Sequence, residues 1–151
     1  EGKKMKEDLK LSGEVTLVLK DSNGNVKQTQ TIKNLVVNAG LNFITSRMQN
    51  TSKGIMSHMG LGSGTVAAAA GDTDLGSLLG SREAIDTDVV NANVLTYVCT
   101  FEAGDATGAV TEAGIFNAAS GGDMLCRTVF SAVNKAASDS LAITWVVTLS
   151  V

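Results

Sequence analysis

Any chemistry in this chain has to come from a few scattered groups. The lone histidine, His58, sits in Met56-Ser57-His58-Met59-Gly60. No Gly-x-Ser-x-Gly nucleophile elbow surrounds it, so it reads as a hydrogen-bonded structural residue rather than the base of a Ser/His/Asp site. The run Gly60-Leu61-Gly62-Ser63-Gly64 invites a phosphate-loop reading. It lacks both the Gly-Lys-Ser/Thr ending of a Walker A loop and the G-x-G-x-x-G spacing of a dinucleotide fingerprint, which sets phosphate binding aside. Asp72, Asp74, Glu83, Asp86 and Asp88 offer the oxygen ligands that Ca²⁺ prefers. Their spacing fits neither an EF-hand nor a nonapeptide calcium repeat, so they read as solvated loop carboxylates.

Cys99 and Cys126 are the only cysteines, and neither stands in a CxxC pair. With a single histidine they form no zinc set. Each lies in an alternating stretch and reads as a small buried hydrophobe, with a disulfide between them left open. Glycoside hydrolysis by paired carboxylates needs aromatic sugar platforms, and one Trp and one Tyr do not supply them. The expectation is no enzyme, with no catalytic residue, cofactor or metal.

The elements that would position these groups are mostly strands. Leu11, Gly13, Val15, Leu17 and Leu19 alternate with Ser12, Glu14, Thr16, Val18 and Lys20, the period of a half-buried strand over 11–20. Asp21-Ser22-Asn23-Gly24-Asn25 supplies a tight hairpin turn into a second strand over 26–37. Asn38 then stands where a helix N-cap belongs. Leu41, Ile44, Thr45 and Met48 follow at helical spacing, predicting one short amphipathic helix over 38–49. A strand over 55–61 leads into 60–80, a long stretch of Gly, Ala, Ser, Thr and Asp expected to contact a neighbouring subunit or partner.

Further strands are predicted over 89–101, 109–117, 124–133 and 141–151, separated by Gly-rich turns. In the last, Leu141, Ile143, Trp145, Val147 and Leu149 share a face, with Trp145 as core anchor. The fold class expected is mainly β: an antiparallel β-sandwich, or a barrel-like relative of it, with one short amphipathic helix.

At 151 residues the chain suits one core. The expected organisation is an N-terminal arm over 1–10 and a single sandwich domain over 11–151. The charged start, Glu1-Gly2-Lys3-Lys4-Met5-Lys6-Glu7-Asp8, has no apolar run behind it and reads as no secretion signal, and no window resembles a membrane span. The net charge of −3 conceals a segregation: residues 1–53 carry +4, 54–126 carry −8 and 127–151 carry +1. An acidic middle argues against a nucleic-acid partner, which would require a basic stripe. The mainly basic arm is expected to order on docking to an acidic partner surface.

Several stretches together resemble a family of small virion structural proteins of tailed bacteriophages, of the capsid-decoration and tail-fibre-like kind. These are Lys33-Asn34-Leu35-Val36-Val37-Asn38-Ala39-Gly40-Leu41-Asn42-Phe43-Ile44, Met56 to Gly64, Val110-Thr111-Glu112-Ala113-Gly114-Ile115-Phe116-Asn117, Leu125-Cys126-Arg127-Thr128-Val129-Phe130, and the ending 139–149. The resemblance implies a non-enzymatic virion protein, foremost a capsid decoration (cement) protein stabilising the head exterior. A tail-fibre or tail-adaptor subunit is the alternative within that class. A carbohydrate-binding module is the alternative of another class, opposed by the shortage of aromatics. The implied partners are the major capsid protein or other virion proteins, with a homo-oligomer expected and a trimer favoured, and neither nucleic acid nor membrane. The implied location is the virion, assembled in the host cytoplasm.

Overall fold

The computed structural model describes residues 8–49 and 53–151. The proposed arm therefore lies largely outside the described residues. Among the described residues ten strands and one helix follow in chain order: β1 (Lys10–Lys20), β2 (Val26–Lys33), β3 (Leu35–Val36), α1 (Asn38–Met48), β4 (His58–Gly62), β5 (Glu83–Ala84), β6 (Thr87–Asn91), β7 (Val94–Phe101), β8 (Gly108–Phe116), β9 (Met124–Lys135) and β10 (Ser140–Ser150). They form two five-stranded sheets in the orders β2-β1-β10-β7-β6 and β3-β9-β8-β4-β5. Every pairing is antiparallel. The fold is a mainly β sandwich and not a closed barrel, because each sheet keeps its edges.

The alternation read from the sequence is the alternation of burial. Val15, Leu17 and Leu19 of β1 and Leu141, Ile143, Trp145 and Val147 of β10 face the second sheet with at most 4% exposure. The sheet opposite supplies Met59, Leu61, Ala113, Ile115, Cys126 and Val133. Trp145 is fully buried and its indole N–H donates to Asn34 Oδ1 at 3.1 Å. An indole needs a polar partner when it is taken out of water. No described helix is long and apolar enough to cross a membrane.

Three local expectations are corrected. The single strand expected over 26–37 is two, because the chain crosses between sheets at Asn34: β2 pairs with β1, and β3 pairs with β9. The strand expected from 89 is a hairpin, β6–β7, whose two-residue turn Ala92-Asn93 holds Ala92 at φ 54°. Asn91-Ala92-Asn93 is the turn signal hidden in that apolar run.

The helix is correctly placed, but its cap and face differ. Val37 is the N-cap and offers no side-chain hydrogen bond, while Asn38 is the first helical residue and donates its backbone N–H to Ala70 O. The buried stripe is Gly40 and Phe43, whereas Leu41 and Met48 are 47% and 84% exposed. The reason is the close approach of α1 to β9: a Cβ at Gly40 would collide with the Leu125 carbonyl. That contact sets the rotation of the helix, which buries Phe43 and leaves Leu41 and Met48 exposed.

Candidate functional site

Two regions bear on function, one on each side of the second sheet. The first lies on its outer face. Along β8, Val110 faces the core, and so do Ala113 and Ile115. The change of phase coincides with a register shift against β9 between Val110 and Glu112. Such irregularities re-aim side chains. Glu112, Gly114 and Phe116 thereby face away from the core, under the loop that connects β4 to β5.

Glu112 is 0% exposed. Its carboxylate accepts backbone N–H bonds from Ser77 at 2.7 Å, Gly76 at 2.9 Å and Gly64 at 3.0 Å. The Arg127 guanidinium adds Nε at 3.0 Å and Nη2 at 2.8 Å to the same Oε2. Arg127 also donates to Asp72 Oδ2 at 2.8 Å and to Val66 O at 3.0 Å. Thr111 Oγ1 donates to Gly64 O at 2.8 Å. A Cβ at Gly64 would stand 2.6 Å from the Glu112 carboxylate, so the loop closes around this anion only with glycine there.

Burial opposes the charge on Glu112, but the Ser77 and Gly76 amides, Arg127 and the Gly64 amide outweigh it and hold the carboxyl below its ordinary range. For Asp72 the Ala69 amide is the largest influence, and with Arg127 it outweighs burial to the same effect. The glycine-rich run does give one amide, that of Gly64, to an anion, but the anion is the protein's own.

The other sequence candidates fall apart in space. Asp74 receives Arg82 Nη2 at 3.3 Å, and Asp86 accepts the Thr100 amide at 2.7 Å. Arg82 stacks on Phe116 with its guanidinium carbon 3.4 Å from the ring centroid and donates to the carbonyls of Ala118 and Gly121. Burial, then the neighbouring Asp105 and Asp86, push the Glu83 carboxyl up. Asp88 stands apart on β6. Among the described residues no group of three His, Cys, Asp or Glu is arranged to hold a metal ion.

His58 Nδ1 lies 2.8 Å from Ser57 Oγ, its chain neighbour, and both are half-buried. Cys99 and Cys126 are free thiols buried on opposite sheets, so the disulfide left open by the sequence is not made. Burial, with Asp86 and Glu83 adding to it, pushes the Cys99 thiol up to about 12, and burial raises Cys126 as well.

The second region is an apolar groove of about 350 Å³ where α1 lies over the end of the first sheet. Phe43 and Ile44 form one wall, Met56 and Leu125 the back, and Val90 and Leu95 the other wall. By strand register Asp88 and Val90 share the inward face of β6 with Tyr97 and Leu95 of β7. Tyr97 is buried in the core there, whereas Val90 is left 70% exposed. A hollow beyond α1, lined by Leu9, Leu41 and Met48, shares Leu11, Ile44 and Leu149 with this groove. A third, reaching Asp88 and Arg47, shares Phe43, Met56 and Val90 with it.

In the sequence Glu112 and Arg127 stand only within the longer stretches of the resemblance, with no motif of their own. The available signal was a lone acid and a lone base inside two apolar strand runs, two positions apart across a pairing that sets Gly114 opposite Arg127. The groove had a weaker signal, since it depends on which way α1 is rotated. No protein-family model, curated protein or solved structure matches the chain.

Proposed function

We propose that this chain is a non-enzymatic structural protein of a tailed-bacteriophage virion, one that decorates and stabilises the capsid exterior. The observation that supports this reading is the use made of the residues behind the resemblance. Glu112, Gly114 and Phe116 of the Thr-Glu-Ala-Gly-Ile-Phe run, with Arg127 of the Leu-Cys-Arg-Thr run, lock a long surface loop onto the sandwich. They form a fold-building signature with its polar groups consumed internally. What the surface offers instead is apolar contact area: Val66 and Leu78 on the clamped loop, and Leu41, Met48, Ile55 and Val90 around the groove, are all at least 45% exposed. Exposed apolar patches of this kind fit protein docking better than small-molecule turnover.

A decorating protein acts by binding the assembled lattice and not the free capsomer, which stabilises the assembled state by mass action. The partners under this reading are the major capsid protein or other virion proteins. The protein itself acts as a homo-oligomer, with a trimer favoured. The test is to add the purified protein to capsids that lack it and to image them. Regular added density on the shell, with a raised disruption temperature, is the expected result. Density confined to the tail would transfer the role to a tail-fibre or adaptor subunit, and no binding to either would end the virion reading.

A further inference from the structure

We propose that β6 is a docking edge for an extended segment of another protein, which joins the first sheet as an antiparallel strand and carries an aliphatic residue followed two positions later by Lys or Arg. β6 is the last strand of its sheet, and all five of its residues are exposed. The turn Ala92-Asn93 makes Asn91 and Val94 the first pair of the hairpin, and the pair beside a two-residue turn exchanges both backbone bonds. Alternation from there directs the N–H and C=O groups of Thr87, Val89 and Asn91 at β7, and those of Asp88 and Val90 away from it. Asp88 and Val90 have no other backbone partner among the described residues. A strand is the partner that such a row of donors and acceptors fits.

The other three edges of the described sheets are defended. β3 and β5 are two residues long, and β2 carries Lys27 and Lys33. Short edges and edge lysines are how sandwiches refuse a further strand. β6 has five residues and no lysine, and it presents Val89 and Val90 at 60% and 70% exposure.

Register then fixes what the added strand must carry. Residues opposite one another in an antiparallel pair share a face, so the residue opposite Val90 turns inward, beside the hollow lined by Phe43, Ile55 and Met56. An aliphatic side chain fits there. The residue two positions later stands opposite Asp88, whose carboxylate makes no hydrogen bond or ion pair among the described residues. Arg47 lines the same hollow but donates to the Lys53 carbonyl instead. A lysine or arginine on the added strand therefore meets an unpaired anion, and the −8 charge of residues 54–126 favours the approach of a basic segment. Any protein presenting such a segment would serve, inside a virion or outside it.

Nuclear magnetic resonance of the full chain, isotope-labelled and titrated with the blocked peptide Ser-Thr-Thr-Leu-Thr-Lys-Thr, tests this. At saturation, hydrogen exchange at the Asp88 and Val90 amides should slow about tenfold, while Thr87 and Val89, already bonded to β7, stay unchanged. Replacing the peptide's lysine with glutamate should weaken binding about tenfold, and Asp88→Lys should reverse that preference. Absence of protection, or equal protection of Val89 and Val90, would overturn the proposal. Equal affinity for the two peptides would overturn it too, since Asp88 would then select nothing. Protection that arises without peptide and grows with protein concentration would also refute it, by making a second copy of this chain the occupant.

Discussion

The two faces flanking the second sheet solve opposite problems. Outside it, an internal anion meets three amides and a guanidinium, and those amides tie a long loop to the sheet. Inside it, at the α1 end, the apolar side chains of α1 and of β6–β7 line an open groove and leave Val90 exposed. One loop is rich in small polar residues and nonetheless fixed. The other site is built from regular elements and nonetheless open. Loop composition is thus a poor guide to how firmly a loop is held; the groups that close over it are a better one.

The largest effects should fall on the clamp and on the core behind it. Arg127→Met leaves the Glu112 carboxylate buried without its cation, and breaking a buried pair from one side costs about 3–5 kcal/mol. Trp145→Ala empties a fully buried aromatic site and costs about 3–5 kcal/mol as well. Urea denaturation measures both. The comparison sharpens if limited proteolysis of Arg127→Met cuts first within 63–77, and it breaks if the variant unfolds less than about 1 kcal/mol more readily than the parent.

Acid should act on the same side. Glu112 and Asp72 have carboxyls lowered in the folded state, so their contribution to stability is complete above the ordinary carboxylate range and is lost as pH falls through the lowered folded values. Thermal unfolding followed from pH 6 downward should show Tm falling only below about pH 4.5, with cleavage in 63–77 preceding any change near α1. A Tm that already declines between pH 6 and 5 would point to other groups.

Smaller effects belong to the open side. Met48→Gln, at a site 84% exposed, should change stability by less than about 0.5 kcal/mol. A loss above about 1 kcal/mol would show that the groove wall is better packed than its exposure suggests. The smallest expected response is that of the thiols: Cys99 and Cys126, buried and with raised pKa values, should resist a thiol reagent until the chain unfolds.

How far the sequence could be read follows from how local each signal was. Strands β1 and β10 were legible because one covered face imposes strict alternation, and Trp145 fell on that face. The split at Asn34 and the Ala92-Asn93 turn were not, since both interrupt β-branched runs without a proline or Asn-Gly pair. The face of α1 was misread because Gly40, invisible to a hydrophobic pattern, sets the helix against Leu125. The clamp was out of reach for a different reason: Glu112 lies 35 to 48 residues from the amides it binds, and no spacing rule connects them.

The middle position of β10 in the first sheet has a kinetic consequence. The hairpin β1–β2 is local, yet the other side of β1 is completed only by a strand about 120 residues later in the chain. At synthesis rates of roughly 5–20 residues per second, a nascent chain presents that unpaired edge for about 6–24 s. Such a span invites pairing with other chains. The edge is not left bare: Lys10 and Lys20 terminate β1, and Glu14 interrupts its outward row. Those charges guard the protein during the interval in which its own partner strand does not yet exist.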